Sequence, residues 1–235
     1  MKLVIAETGV PPVGLGTEWG SYPDMFSAMF RNAGASFEVQ TFNVMEGQEL
    51  PSPKPGEALL VTGSPQGVYE EHDWIPGLEE AVRHWATAER PVLGICFGHQ
   101  LIAKAFGAPV EKSSKGWGVG VHTYEVVADT PWAEGPLRFS CAVSHQDQVQ
   151  AAPEGFTRIA GSAFCPFGAL AHDVLPVLTF QMHPEFDHGF AAALMDLRAD
   201  RIPQERRDLG QATLRNESHR ADIAGWMRAF IEQRG

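Results

Sequence analysis

The chain predicts an α/β fold: a mostly parallel central sheet with helices on both faces, plus a small antiparallel addition. Three observations predict it. Short apolar, β-prone segments alternate with helical patterns through the first half, the order that buries a parallel sheet between helices. The middle of the chain offers a run of strand-like segments with few helices between them. With 235 residues, 44% hydrophobic and 20% charged, the chain has an ordinary globular composition and the length for a substantial core.

The elements follow in order. The opening apolar run ends at Ala6 and meets Glu7 at once, too short for a signal peptide, so 2–6 reads as a first strand. The Pro- and Gly-containing stretch from Gly9 to Gly20 reads as a long loop, either lining a site or forming mobile surface. Residues 23–32 carry a helical pattern, with Pro23 suited to the first turn. Phe37, Val39 and Thr41 alternate with Glu38 and Gln40, which marks 37–42 as a strand. The Pro-rich piece 51–55 is a surface connection. Residues 58–62 form a buried strand, 75–88 a helix and 92–95 another strand.

Beyond these, 119–127, 137–143, 156–159 and 177–181 read as strands, the last returning to the central sheet. From Phe190 the pattern is helical, broken near Pro203 and at 216–218. Ser218 is placed to cap the last helix, whose stripe Ile223, Trp226, Met227 and Phe230 reads as a packing face. No internal repeat or low-complexity tract appears. Residues 1–235 are therefore expected to form a single domain, with the helices of about 190–235 as an extension.

Charge and cysteine usage exclude several classes. Eighteen Lys and Arg against 29 Asp and Glu give a net charge of −11 with no basic run. Nucleic acid and anionic membrane surfaces are poor partners for such a chain. No stretch approaches the ~20 apolar residues of a membrane span. The three cysteines, Cys96, Cys141 and Cys165, form no C-x-x-C pair. An odd count without pairing points to a reducing compartment, so a cytoplasmic protein is expected.

The feature that decides function is Gly94-Ile95-Cys96-Phe97-Gly98-His99-Gln100, between the strand at 92–95 and an apolar-patterned stretch at 101–106. A strand, a sharp turn carrying a nucleophile between two glycines, and a helix make a nucleophile elbow. The turn strains the nucleophile's backbone, and the glycines remove Cβ atoms that would collide. The helix that follows aims its free N–H groups at Cys96, which favours thiolate over thiol. Such a thiolate needs a base and a group to orient that base. His183 ends the last apolar strand, in Gln181-Met182-His183-Pro184-Glu185. In extended chain, positions i and i+2 point the same way, which puts Glu185 within reach of the His183 ring. Pro184 between them presents no N–H in need of a partner. Oxyanion donors are expected from the N–H of Phe97 and from Gly63, in the turn Thr62-Gly63-Ser64-Pro65-Gln66-Gly67 after the strand at 58–62.

These motifs, with Val68-Tyr69 and Ser144-His145-Gln146-Asp147, occur in an order that resembles the class I (triad) glutamine amidotransferases. The resemblance covers roughly Met1 to His188. Within the family it is strongest to stand-alone, GMP-synthase-amidotransferase-like members, γ-glutamyl peptidases included, a subgroup supported by Lys115-Gly116-Trp117 and Gly118-Val119-Gly120. The resemblance implies a flavodoxin-like sheet. It implies Cys96 as nucleophile, His183 as general acid/base, Glu185 as its orienting partner, and Gly63 and Phe97 as the oxyanion hole. Gln100, Ser144, Gln146 and Asp147 would contact the α-amino and α-carboxylate end of a glutamyl substrate. His99 and His145 are read as hydrogen-bonded structural histidines, and Cys141 and Cys165 as inert packing residues.

The expected activity is amidotransferase-type hydrolysis of a γ-glutamyl amide through a γ-glutamyl thioester, with no metal or organic cofactor. The chain has no G-x-x-x-x-G-K-[ST] loop for ATP. A separately encoded ATP-dependent synthetase subunit is one destination for the ammonia. Stand-alone hydrolysis of γ-glutamyl peptides is the alternative. A non-catalytic or regulatory domain and a DJ-1-like redox protein are rivals of other classes. The intact Cys96, His183 and Glu185 set argues against the former, and the late His-Pro-Glu against the latter.

Overall fold

The computed structural model describes residues 1–132 and 135–235. The chain opens with β1 (Lys2–Glu7) and a short helix α1 (Leu15–Trp19), followed by α2 (Tyr22–Asn32). Ser21 caps α2 in a reciprocal box with Asp24, and Pro23 occupies the first turn. Strands β2 (Glu38–Asn43) and β3 (Glu57–Val61), helix α3 (Trp74–Thr87), β4 (Val92–Ile95) and α4 (Phe97–Ala105) complete the first half. The second half runs β5 (Val110–Lys112), β6 (Gly118–Val126), β7 (Arg138–His145), β8 (Asp147–Val149), β9 (Phe156–Gly161), β10 (Ala169–His172) and β11 (Val177–Phe180). Helices α5 (His188–Leu197), α6 (Gln204–Thr213) and α7 (Arg220–Arg234) follow.

Among the described residues, nine strands form one sheet in the order β2-β1-β3-β4-β11-β10-β9-β6-β7. The first five are mutually parallel, β11 pairing with β4 from Val177↔Val92 to Phe180↔Ile95. The remaining four pair antiparallel. The antiparallel addition is thus continuous with the parallel half, joined through β10 and β11. Period-2 alternation sends Leu3 and Ile5 to one face and Val4 and Ala6 to the other. The first face packs on Phe26, Met29 and Phe30 of α2 and on the α7 stripe Ile223, Trp226, Met227 and Phe230. The second packs on Ile75, Leu78, Val82 and Trp85 of α3 and on Leu101 and Ile102 of α4.

Three details differ from the sequence expectation. The stretch from Gly9 to Gly20 holds α1, whose Trp19 meets Phe190 of α5 edge-on at 5.7 Å. Short strands β5, β8 and β10 were not anticipated, because three or four residues leave too little periodicity to read. Ser218 does not cap α7: the cap position is His219, with no side-chain cap bond. His219 is instead tied to Ser140 of β7 by two bonds, its N–H donating to the Ser140 carbonyl at 2.7 Å and its Nδ1 accepting from the Ser140 N–H at 3.1 Å.

The C-terminal helices lie on the sheet. Gly120 (φ 83°) and Gly210 let α6 approach β6 so closely that a Cβ on Gly120 would sit 2.4 Å from the Gly210 carbonyl oxygen. Among the described residues, no helix is long and apolar enough to cross a membrane.

Candidate active site

Cys96 stands between β4 and α4 with φ 53° and ψ −101°, a conformation that side chains other than glycine rarely adopt. Hydrogen bonds on each side hold it there. Cys96 N–H donates to the Phe180 carbonyl at 2.9 Å, Gly98 N–H to the Thr62 carbonyl at 3.1 Å, and Gln100 N–H to the Cys96 carbonyl at 3.1 Å. The flanking glycines are a packing requirement. A Cβ on Gly98 would lie 2.3 Å from the Val61 carbonyl oxygen, and one on Gly94 would lie 2.6 Å from the Gly98 carbonyl carbon. Cys96 is thereby fixed at the first turn of α4, where unpaired N–H groups and the positive end of the helix dipole favour negative charge.

His183 comes from the segment just after β11, the strand adjacent to β4 in the sheet. Its Nδ1 bonds Glu185 Oε1 at 2.7 Å, and both side chains are buried. The ring stacks on Phe186 with centroids 4.0 Å apart and planes within 3°. The main-chain N–H donates to the Ala142 carbonyl of β7 at 2.8 Å. Arg220, the first residue of α7, donates to the carbonyls of Pro184 (2.9 Å) and Glu185 (3.0 Å), so the His-Pro-Glu turn is braced from the C-terminal helix. Burial alone pushes the imidazole down, but the Glu185 carboxylate and Cys96, to which it hydrogen-bonds, raise it to about 10. Imidazolium is the favoured form beside Cys96.

Gly63 follows β3 and completes the wall. A Cβ there would lie 3.0 Å from His183 Cε1 and 3.7 Å from Cys96 Cβ, so only glycine leaves the ring its place. Buried Thr8 anchors this turn, its hydroxyl donating to the carbonyls of Thr62 (2.9 Å) and Gly63 (3.2 Å). Phe97, the first residue of α4, follows Cys96 directly in the chain. Cys96, His183, Glu185, Gly63 and Phe97 therefore lie together at one place.

Gln100, Ser144, Gln146 and Asp147 line one cleft with Cys96. The Gln100 amide N–H groups are spent inside the protein, on the Asp147 carbonyl (2.9 Å) and Gln181 Oε1 (3.0 Å), which leaves its oxygen for a ligand. The Asp147 carboxylate accepts from the Tyr69 hydroxyl at 3.0 Å, and burial raises its pKa. His99 bonds Thr179 at 2.8 Å and His145 the Asp147 carbonyl at 3.1 Å, and burial pushes each down to about 3. Both are neutral, hydrogen-bonded histidines. Cys141 and Cys165 are fully buried and free of disulfides.

Sequence reasoning missed Tyr69, Arg198 and Arg201, which also line the cleft. Tyr69 lay within a recognised stretch, but nothing in the spacing signalled its reach to Asp147. Arg198 and Arg201 sit in the region after α5, where an arginine on a polar surface is unremarkable by sequence.

A thiol at a helix N-terminus, an imidazole beside it and a carboxylate behind the imidazole form the arrangement used for acyl transfer through a thioester. The family model described as Glutamine amidotransferase class-I matches residues 19–196. GMP synthase [glutamine-hydrolyzing] of Wolinella succinogenes is 34% identical over 188 residues, covering 75% of this chain and 34% of its own length. Gamma-glutamyl peptidase 3 of Arabidopsis thaliana is 27% identical over 225 residues, covering 89% of this chain and 87% of its own. The chain thus spans about a third of the former relative and most of the latter. The crystal structure of a glutamine amidotransferase from Thermotoga maritima superposes with a TM-score of 0.78 at 22% identity, over 98% of each chain.

Proposed function

The chain belongs to the class-I glutamine amidotransferases, and from that premise we propose that it hydrolyses a γ-glutamyl amide through a covalent thioester on Cys96. The observation that carries the reading is the 2.7 Å bond from buried Glu185 to His183, whose ring lies against Gly63 and Cys96 at the strained elbow. With the Sγ proton already held by His183, the Cys96 thiolate bonds to the γ-carbonyl carbon. The oxygen becomes an oxyanion held by the N–H groups of Gly63 and Phe97. As the tetrahedral species collapses, the C–N bond breaks and His183 gives its proton to the departing nitrogen. Water then attacks the thioester with His183 as base, and collapse releases glutamate and restores the Cys96 thiolate beside the His183 imidazolium.

Glu185 holds the imidazole so that its other nitrogen faces the thiol, and stabilises the imidazolium at each step. Gln100, Ser144, Gln146 and Asp147 bind the α-amino and α-carboxylate end of the glutamyl group. The residues form a single domain in this reading, and no step calls for a metal or organic cofactor.

Two leaving groups suit this chemistry. With glutamine, ammonia is released for a separate synthetase. That reading is favoured by relatives such as the glutamine-hydrolyzing GMP synthase subunit of Archaeoglobus fulgidus, 42% identical over 100 residues. With a γ-glutamyl peptide the chain works alone, a reading favoured by the near full-length match to gamma-glutamyl peptidase 3. Mass spectrometry of acid-quenched protein after mixing with glutamine or a γ-glutamyl dipeptide tests the common step. A glutamyl adduct on Cys96, absent in Cys96→Ala, is expected. Turnover without Cys96 would refute it.

A further inference from the structure

The cleft beside Cys96 contains two cations that the glutamyl-binding motifs do not explain. Arg198 donates from Nη1 to Ser144 Oγ at 2.7 Å and is largely withdrawn from solvent, burial lowering its pKa. Neither Arg198 nor Arg201 forms an ion pair with a carboxylate among the described residues. Arg201 lies over the Trp117 ring, 5.9 Å from its centroid, and repels Arg198 electrostatically. Two neighbouring guanidinium groups, one of them mostly desolvated, are costly unless an anion joins them.

Their position says which part of a substrate that anion belongs to. Arg198 bonds Ser144, two residues along β7 from Ala142, whose carbonyl accepts from the His183 main-chain N–H and whose side chain packs in one cluster with Tyr22 and Phe186. The Tyr22 ring packs on Phe186 at 5.9 Å, and Phe186 stacks on His183. Arg198 is thus on the His183 side of the nucleophile, where the leaving nitrogen collects its proton. Glu70 and Asp147, with Tyr69 between them, also line the cleft and suit the glutamyl ammonium, although Lys112, paired across the ladder with Asp147, offsets part of that charge.

We propose that Arg198, with Arg201 on its Trp117 platform, forms a subsite for a carboxylate carried by the leaving amine. The preferred substrate is then the γ-glutamyl amide of an amino acid or short peptide. The inference rests on the γ-glutamyl hydrolase reading above and selects between its two leaving groups. In the reaction the amide C–N bond breaks, His183 protonates the nitrogen, and the substrate carboxylate stays ionised throughout.

The test compares kcat/KM for γ-glutamyl-alanine with that for γ-glutamyl-alaninamide, which differs only in lacking the carboxylate. Glutamine serves as a third probe. A charge-assisted, bidentate contact predicts a preference of about tenfold or more for the free carboxylate in the wild type. Arg198→Met should bring that ratio close to one, and Arg198→Lys should recover part of it. Arg201→Met, on an exposed side chain, should lower it by a smaller factor and serves if Arg198→Met fails to fold. A wild-type ratio near one overturns the subsite. So does a ratio that survives Arg198→Met while all three probes slow equally, which would place Arg198 on the glutamyl α-carboxylate. If the wild type turns over none of the probes and forms no Cys96 adduct, the hydrolase reading itself falls and takes this one with it.

Discussion

Glu185→Gln is the most informative substitution, because it removes one charge and leaves the shape of the site. Glutamine can occupy the Glu185 position in two orientations. With its oxygen toward His183 Nδ1, the amide NH2 takes the place of Oε2, a buried atom without a hydrogen-bond partner among the described residues. That orientation buries an unsatisfied donor, at a cost of about 1–3 kcal/mol. With the NH2 toward Nδ1, the imidazole proton is forced onto the other nitrogen, and His183 can no longer accept from Cys96. Either way the imidazolium loses its carboxylate. The expected loss in the rate of thioester formation is roughly 10²–10⁴, its upper end being the ~10⁴ that follows when the aspartate of a serine triad is neutralised.

Stability provides an independent readout of the same change. Removing one partner of a buried ion pair costs about 3–5 kcal/mol. Because glutamine keeps one hydrogen bond, about 3 kcal/mol is expected, or roughly 6–12 °C in melting temperature at this chain length. The sign with pH follows from the raised pKa of His183. A group that ionises at about 10 when folded, against an ordinary value of 6.5, contributes its full stabilisation below about pH 6.5. That contribution fades as pH rises toward 10. The wild type should therefore exceed Glu185→Gln most at pH 6 and progressively less toward pH 10. Rapid-quench measurement of the Cys96 adduct and melting curves between pH 6 and 10 test both expectations. A variant whose adduct forms within about threefold of the wild-type rate, with a pH-independent stability gap, would refute the role given to Glu185.

Three further outcomes are expected. Alkylation at pH 8 followed by peptide mapping should label Cys96 far ahead of Cys165, which burial pushes up to about 12, and of Cys141, which burial pushes higher still; prior labelling at either buried thiol would contradict the site. Gly98→Ala must displace α4 from β3, since its Cβ would meet the Val61 carbonyl oxygen at 2.3 Å; a drop of several degrees in melting temperature with loss of adduct is expected, and an unaltered variant would count against the close approach. Arg220→Gln removes the charged donor bracing the Pro184 and Glu185 carbonyls; kcat should fall about tenfold with KM little changed, and full activity would show that the His-Pro-Glu turn holds itself.

The strand, elbow and helix around Cys96 were legible because every constraint on them is local. Glycines flank the turn, an apolar run precedes it and a helical pattern follows. The His183 and Glu185 pairing was legible too, but not through the extended chain expected: the segment is a turn closed by the Phe186 N–H on the His183 carbonyl at 3.2 Å, and the two side chains meet within it. The parallel half of the sheet followed from alternating periods, and the α7 stripe from its 3.6-residue repeat. Ser218 shows the limit of local reading. A serine before a helix is a good cap by composition, but the contact of His219 with Ser140, 79 residues away, fixes where α7 begins.

What the sequence determined by itself was the family, the class of fold and the short motifs that gather around Cys96, because each is written in neighbouring residues whose geometry the backbone dictates. Only the tertiary structure decided that the antiparallel strands extend the parallel sheet and that α6 docks on β6 through Gly120 and Gly210. It alone brought Arg198 to Ser144, which it follows by 54 residues, and Arg201 over Trp117. Spacing along a chain predicts a contact when a single turn or strand sets the distance. A cleft wall assembled from separate elements is set by how those elements pack, and packing is a property of the whole core.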